Sequence, residues 1–324
     1  MRKKDFIGRR NFLKDSLAVC AGTLIFGKGQ FRSELTRENK TQDRESEVMV
    51  KVLGTAQDGG FPQMGCYCEN CRLARRNPKL ARKVVSLGLL NFSTGKSFMM
   101  EATPDTARQV DMIQAVDPDF KRMKGNPIDG ILLTHADIGH YPGLIQFRPE
   151  VTTVRQLPVY CTKIMGRFLS ENEPWEYMVE KKIIELKKFE FNTKIPLDEQ
   201  IEFEAVKVPH DKHSDMAGYK ILGPNKSLLF IPDIDYWEDR FRDIVASVDY
   251  AFLDGTFYSD RRGSKRHPLI MKSMEFFKGI ESETDIFFTH LNHSNKLLGR
   301  DKSIRKAIED RGFFISDDGD ELWL

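Results

Sequence analysis

Five apolar segments of this chain each run into a histidine or an aspartate, and that recurrence constrains the fold more than any single motif. Residues 128–134 lead into His135, and residues 201–208 into Pro209-His210. Residues 228–231 lead into Pro232-Asp233, residues 250–253 into Asp254, and residues 285–288 into Thr289-His290. Each segment has the length and the β-branched or aromatic content of a buried strand. Polar residues at strand ends of an α/β architecture converge on one edge. A single histidine at such a junction reads blandly as a core or surface residue. Of the seven histidines, five lie in or just after these junctions, which makes a shared site the stronger reading.

The remaining pattern fills in an α/β chain. Strands are predicted over 48–54, 84–92, 96–101, 159–161 and 218–222, with a turn at Ser93-Thr94-Gly95. Helices are predicted over 70–81, 104–116, 164–170, 268–277 and 303–311, the second with Pro104 in its first turn. Two short strands close the chain. At 324 residues and 40% hydrophobic, the chain can bury one large core or two moderate ones. Its 50 basic and 48 acidic residues leave a net charge of +2. That balance predicts no strong pull toward nucleic acid or an anionic membrane. No apolar run is long enough to span a bilayer.

Residues 1–29 read as an export signal. Gly8-Arg9-Arg10-Asn11-Phe12-Leu13-Lys14 precedes a mildly apolar stretch over 16–26. The Arg-Arg-x-Phe-Leu-Lys core resembles a twin-arginine signal. A periplasmic protein is therefore expected, delivered by the twin-arginine translocase and without a stable membrane anchor after cleavage. The alternative is a basic tail with a chance Arg-Arg pair. Residues 30–47 are polar, charged and aperiodic, and read as a linker; residues 48–324 form the folded domain.

Cys66, Cys68 and Cys71 stand within six residues. They can place three thiolates on one tetrahedral zinc, but a fourth ligand must come from elsewhere. The His290-x-x-His293 pair can give one histidine to that zinc and the other to a separate reactive metal. A strained disulfide plus a free thiol is the competing reading. Cys161, on a strand-like run, reads as a small buried hydrophobe, and Cys20 as part of the signal.

Thr134-His135-Ala136-Asp137-Ile138-Gly139-His140, ahead of Gly143-Leu144, resembles the metal-binding signature of the metallo-β-lactamase superfamily, usually His-x-His-x-Asp-His. His210, Asp233 and His290 fit the later positions of that pattern. The resemblance implies an αββα sandwich over 48–324 with metal at one edge between two sheets. Gly59-Gly60-Phe61-Pro62-Gln63, Leu253-Asp254-Gly255-Thr256-Phe257 and His290-x-Asn292-x-x-Asn295 resemble the pyrroloquinoline-quinone biosynthesis protein B family. The cysteine element also resembles phosphodiesterases of phosphonate utilisation, which implies that His293 closes a structural zinc site.

Two positions depart from the signature. Asp137 replaces its second histidine and can still bind metal through oxygen. Gly139 replaces its aspartate and cannot. One tightly held active-site metal is therefore expected, or two with the second weak. The candidate ligands are His135, Asp137, His140, His210, Asp233 and His290. Zinc is the first choice, with iron or manganese compatible with the oxygen-rich set. His213 competes with His210 for the same role.

An open metal position would lower the pKa of a water to near neutral, with Asp233 bridging metals or orienting that water. The resemblance places His267 over the leaving group as a proton donor; the plainer reading is a helix-capping surface histidine. Asp254 is either a turn residue or holds a ligand histidine by hydrogen bond. Asp235 reads as a helix cap. The basic run at 261–266 reads as a solvated loop or as a grip on an anionic substrate. The leading expectation is an exported metal-dependent hydrolase acting on a small-molecule ester or phosphodiester. An iron-dependent oxygenase, or a role in quinone-cofactor biosynthesis or transport, is the second reading, and a non-catalytic binding protein the third.

Overall fold

The structure is a computed structural model that describes residues 47–116, 120, 125–210, 215–260 and 266–324. The signal segment, residues 30–46 of the linker, His213 and the basic residues 261–265 lie outside the described residues. No described helix is long and apolar enough to cross a membrane.

Two seven-stranded sheets face each other. The first contains β1 (Val48–Gly54), β2 (Ser86–Asn91), β3 (Lys96–Met100), β4 (Gly130–Leu132), β5 (Leu157–Cys161), β6 (Ile184–Lys188) and the last strand, β14 (Glu321–Trp323). Their order is β14-β1-β2-β3-β4-β5-β6. The second contains β7 (Lys194–Pro196), β8 (Glu202–Val208), β9 (Met216–Leu222), β10 (Ser227–Ile231), β11 (Tyr250–Asp254), β12 (Asp285–Thr289) and β13 (Phe313–Ile315), ordered β13 to β7.

The period-two geometry of a strand sorts the apolar residues between layers. Val48, Val50 and Val52 of β1 enter the core between the sheets, with Leu228 and Phe230 of β10 opposite. Met49 and Leu53 of β1 point the other way, into an outer layer with Val110, Ile113, Met165, Leu169 and Met178. Those come from α2 (Thr106–Gln114), α3 (Lys163–Glu171) and α4 (Trp175–Glu180). Leu229 and Ile231 of β10 meet the second outer layer, built from α1 (Glu69–Arg76), α5 (Arg240–Ala246), α6 (Ile270–Phe276) and α7 (Ser303–Glu309). The result is the αββα sandwich expected from the sequence. Strands covered on both faces carry no polar face, which is why β11 reads as an apolar run up to Asp254.

Strand direction sets where the polar ends emerge. β3 through β6 are parallel neighbours, and β1 is antiparallel to β2, which is antiparallel to β3. β1, β3 and β4 therefore all finish at one edge. In the second sheet β10 to β13 are parallel, and β8 reaches the same direction through two antiparallel steps. Hydrogen bonds tie the sheets together at that edge. Tyr219 Oη donates to the Leu133 carbonyl at 2.5 Å, and Ala217 N donates to the Thr134 carbonyl at 3.1 Å.

Several local expectations need correction. The helix expected over 70–81 stops at Arg76, and a 3-10 turn, Pro78–Leu80, follows. Pro78 disfavours a helical residue before it, and Asn77 is accordingly non-helical. α2 begins at Thr106, after Pro104 rather than around it. α4, α5, β6 and β7 carry no clear period in the sequence. β6 buries only one face and exposes charges along the sheet edge, as edge strands do. Cys161 is fully buried, as expected.

The cysteine segment holds the first and last quarters of the domain together. No disulfide forms among Cys66, Cys68, Cys71 and Cys161. Instead the Sγ atoms of Cys66, Cys68 and Cys71 stand 3.4, 3.6 and 3.6 Å from His293 Nδ1. A tetrahedral zinc with ordinary bond lengths would put sulfur and nitrogen about 3.5 Å apart, so the four residues have the dimensions of such a site. Asn70 Nδ2 reinforces the junction by donating to the carbonyls of His293 and Asn295. The Cys68 amide donates to Cys66 Sγ and pulls that thiol below its ordinary pKa, whereas burial pushes Cys71 up to about 12. A cation shared by these sulfurs would remove that conflict, because metal binding requires the thiolate form. Replacing Cys68 by Ser is expected to release one metal equivalent and lower the melting temperature while other bound metal is retained. Unchanged metal content and melting temperature would contradict a metal clamp at this junction.

Candidate metal centre

At the shared edge, loops after six strands bring their polar residues together. His135 follows β4, His210 follows β8, Asp233 follows β10, Asp254 ends β11 and His290 follows β12. Asp58 lies in the loop after β1. His135, His140, His210, Asp233, Asp254, His267 and His290 are all buried, and Asp137 is half-exposed at the mouth.

Two groups of ligand atoms flank Asp233, beside a third in which Asp233 meets Asp254, His267 and His290. In the first, His135 Nε2 lies 3.6 Å from Asp137 Oδ2 and 3.7 Å from Asp233 Oδ2. His210 reaches Asp137 Oδ2 with Nε2 and Asp233 Oδ1 with Nδ1, each at 3.4 Å. In the second, the Nε2 atoms of His140 and His290 each stand 3.4 Å from Asp58 Oδ1, and 3.9 and 3.7 Å from Asp233 Oδ2. Each group holds nitrogen and carboxylate-oxygen donors in the mixture that zinc, iron and manganese accept.

Hydrogen bonds behind the imidazoles fix which nitrogen faces the pocket. Thr134 Oγ1 donates to Glu101 Oε1 at 2.6 Å, so it accepts from His135 Nδ1 at 2.8 Å. His290 Nδ1 lies 2.8 Å from Thr256 Oγ1, whereas His140 Nδ1 faces the Glu101 carboxylate at 3.2 Å without hydrogen-bond geometry. The Nε2 atoms of His135, His140 and His290 remain buried with no hydrogen-bond partner. Such orphaned atoms are rare in folded proteins. Metal-binding histidines, by contrast, usually engage their other nitrogen as His135 and His290 do. The residues therefore fit a metal ion on an observation independent of motif.

The charge balance differs from one histidine to the next, and a metal ion would have to displace the proton favoured on His140 and His210. Burial and the neighbouring His140 hold His135 below its ordinary pKa, the neutral form a ligand needs. Burial opposes charge on His140, but Glu101 and Asp58 raise its pKa well above the ordinary value. The imidazoles of His135 and His210 beside it hold the Asp137 carboxylate well below the usual carboxylate range. Burial works against charge on Asp233, yet the surrounding imidazoles, His290 foremost, keep it far below the usual carboxylate range.

His267 is buried rather than a surface cap, and the helix after it is capped at Leu269. Its Nδ1 lies 2.8 Å from Asp254 Oδ2 and 3.0 Å from Asp233 Oδ1. Burial disfavours the imidazolium, but Asp254 and Asp233 offset this and push the pKa up to about 11. Asp254 is pinned in turn by the amides of Ile234 and Thr256. Its histidine partner is thus His267, not one of the ligand candidates. Asp235 does not cap a helix, since α5 starts only at Arg240; its Oδ1 sits 3.1 Å from His210 Nδ1. Glu101, His267 and His290 adopt positive φ of 74°, 65° and 58°. A non-glycine residue in that region is disfavoured, and such strain gathers at functional sites.

Sequence reasoning missed Glu101 and Asp58. Glu101 follows β3 at the same edge and reads only as a polar strand terminus. Asp58 lies ahead of Gly59-Gly60, where an aspartate reads as turn chemistry.

Residues 97–291 match the Beta-lactamase superfamily domain. Coenzyme PQQ synthesis protein B of Rhizobium meliloti (strain 1021) is 27% identical over 311 residues, covering 87% of this chain and 100% of the relative. The fold is similar to Zn(2+)-bound PqqB from Methylobacterium extorquens, with a TM-score of 0.71 and 22% identity over 85% of this chain and 100% of that one. It is also similar to a diphosphatase from the PhnP family, with a TM-score of 0.67 and 21% identity over 86% and 97%. The match to the superfamily domain spans more than half of the chain: the chain belongs to the beta-lactamase superfamily.

Proposed function

We propose that this protein is a metal-dependent hydrolase that cleaves an ester or phosphodiester bond. The observation that carries the reading is the buried pair Asp254–His267 set against Asp233 at the edge of the ligand cluster. A bound divalent ion would supply Lewis acidity and lower the pKa of a water molecule. The side chains do the rest. His135, Asp137 and His210 would hold the ion with Asp233. Asp254 fixes His267 through Nδ1, which leaves the Nε2 proton to give to a leaving oxygen. Arg266 Nη1 lies 3.7 Å from Asp137 Oδ2 at the mouth, where a guanidinium can meet an anionic substrate.

A second reading has its own support. Asp137 stands where an imidazole would give a nitrogen-rich site, so the first group offers His135 and His210 with carboxylates. Two histidines and a carboxylate are a donor set that also suits iron in oxygenases. The similarity to Coenzyme PQQ synthesis protein B is compatible with a role for this chain in quinone-cofactor chemistry.

Metal analysis of protein purified without added metal, for wild type and His135→Ala, separates the two. The hydrolase reading expects zinc beyond the cysteine site, lost in the variant together with turnover of bis(p-nitrophenyl) phosphate or a p-nitrophenyl ester. Iron that disappears in the variant, with no hydrolysis by wild type, would instead support the oxygenase. His267→Gln tests the proton donor. It should lower kcat by about 10²–10⁴-fold with metal content unchanged. The donor works only when protonated, and its pKa is raised to about 11. Its contribution is therefore intact at neutral pH and falls as pH climbs toward that value. The glutamine variant should lack this alkaline fall; a variant with wild-type kcat would remove His267 from the mechanism.

A further inference from the structure

Gly139 has no side chain with which to bind a metal, yet the space beside it is not empty. A Cβ built at 139 would lie 2.2 Å from Asp58 Oδ1 and 2.8 Å from Asp58 Cα. Both separations are shorter than real contacts allow, so the Asp58 carboxylate occupies the volume that a side chain at 139 would take. Asp58 is brought there by the loop after β1. Leu291 N donates to the Thr55 carbonyl at 2.8 Å and Gln57 N to the Leu291 carbonyl at 3.0 Å. Asn292 Nδ2 donates to Gln57 Oε1 at 2.6 Å. These bonds lock the exit of β1 against the exit of β12 and set Asp58 beside His290.

Asp58 Oδ1 is buried without a hydrogen-bond partner, as are the His140 and His290 Nε2 atoms that face it at 3.4 Å. Three such atoms pointing at one another leave a deficit that a cation would fill. Asp233 Oδ2 faces imidazoles of both groups, 3.7 Å from Nε2 of His135 and of His290 and 3.9 Å from Nε2 of His140. We propose that Asp58, His140 and His290 hold a second divalent cation, and that Asp233 is shared between it and the ion at His135, Asp137 and His210. The carboxylate that residue 139 lacks is thus supplied by a loop about eighty residues earlier. Glycine at 139 is then required by Asp58 rather than a lost ligand. The proposal rests on reading this pocket as a metal centre.

The test is zinc stoichiometry and affinity for chelator-stripped, zinc-reloaded full-length protein. Wild type, Asp58→Ala, Asp58→Asn, Gly139→Ala and His135→Ala are compared, with melting curves of the metal-free forms as a folding check. Wild type is expected to hold two ions beyond the cysteine site. Both Asp58 variants should lose one of them, or bind it at least about 100-fold more weakly, beyond what removal of an outer-shell partner typically costs. Gly139→Ala should have the same effect with Asp58 still present, because the added methyl displaces its carboxylate. His135→Ala should weaken the other ion. Wild-type stoichiometry and affinity in the Asp58 variants would overturn the proposal and leave the first centre standing. A single ion beyond the cysteine site in wild type would do the same. No ion beyond that site would sink the metal-centre reading itself.

Discussion

The carboxylate of Asp233 is the interaction on which the rest of the site depends. It is buried, and its two oxygens lie within 3.0–3.9 Å of nitrogens on His135, His140, His210, His267 and His290. An isolated buried carboxylate is very costly, and a buried charge persists only when paired. Protons on the imidazoles can provide the pairing, as can divalent cations between them. The positions of the other side chains favour cations. Thr134, Thr256 and Glu101 meet the Nδ1 atoms, and the Nε2 atoms of three histidines point inward with no hydrogen-bond partner.

That arrangement follows from strand direction. Elements far apart in sequence end at the same edge because the sheets require it, and the intersheet bonds from Tyr219 and Ala217 hold the His135 loop in register with the second sheet. The cysteine junction serves the same end. His290 and His293 leave one strand three residues apart, the first facing the pocket and the second facing the three sulfurs. The loop after β1 is held at both ends, by the strand and by the cysteine segment. Asp58 lies between these two anchors, and its reach to His140 and His290 depends on them.

Much of this was legible in the sequence, for an identifiable reason. A buried strand that stops at a histidine or aspartate announces both the element and the ligand, so His135, His210, Asp233 and His290 could be read directly. Cysteine spacing announced the second cluster equally plainly. Asp58 and Glu101 were not legible because their local signals are ordinary: an aspartate before two glycines looks like a turn, and a glutamate after a strand looks like its polar end. Only the juxtaposition with His140 gives either a role. Asp235 was misread for a related reason, since its local sequence resembles a cap while the helix begins several residues later. Gly139 looked like a missing ligand because a chain read in order does not show what fills the space beside a glycine.

The most direct test of this account is anomalous diffraction from crystals of the full chain, with data collected on either side of the zinc, iron and manganese absorption edges. The account predicts one peak enclosed by Cys66, Cys68, Cys71 and His293, and two flanking Asp233, one toward His135 and His210 and the other toward Asp58, His140 and His290. A peak at the cysteines alone, with the Asp233 pocket free of anomalous signal in metal-loaded crystals, would contradict it.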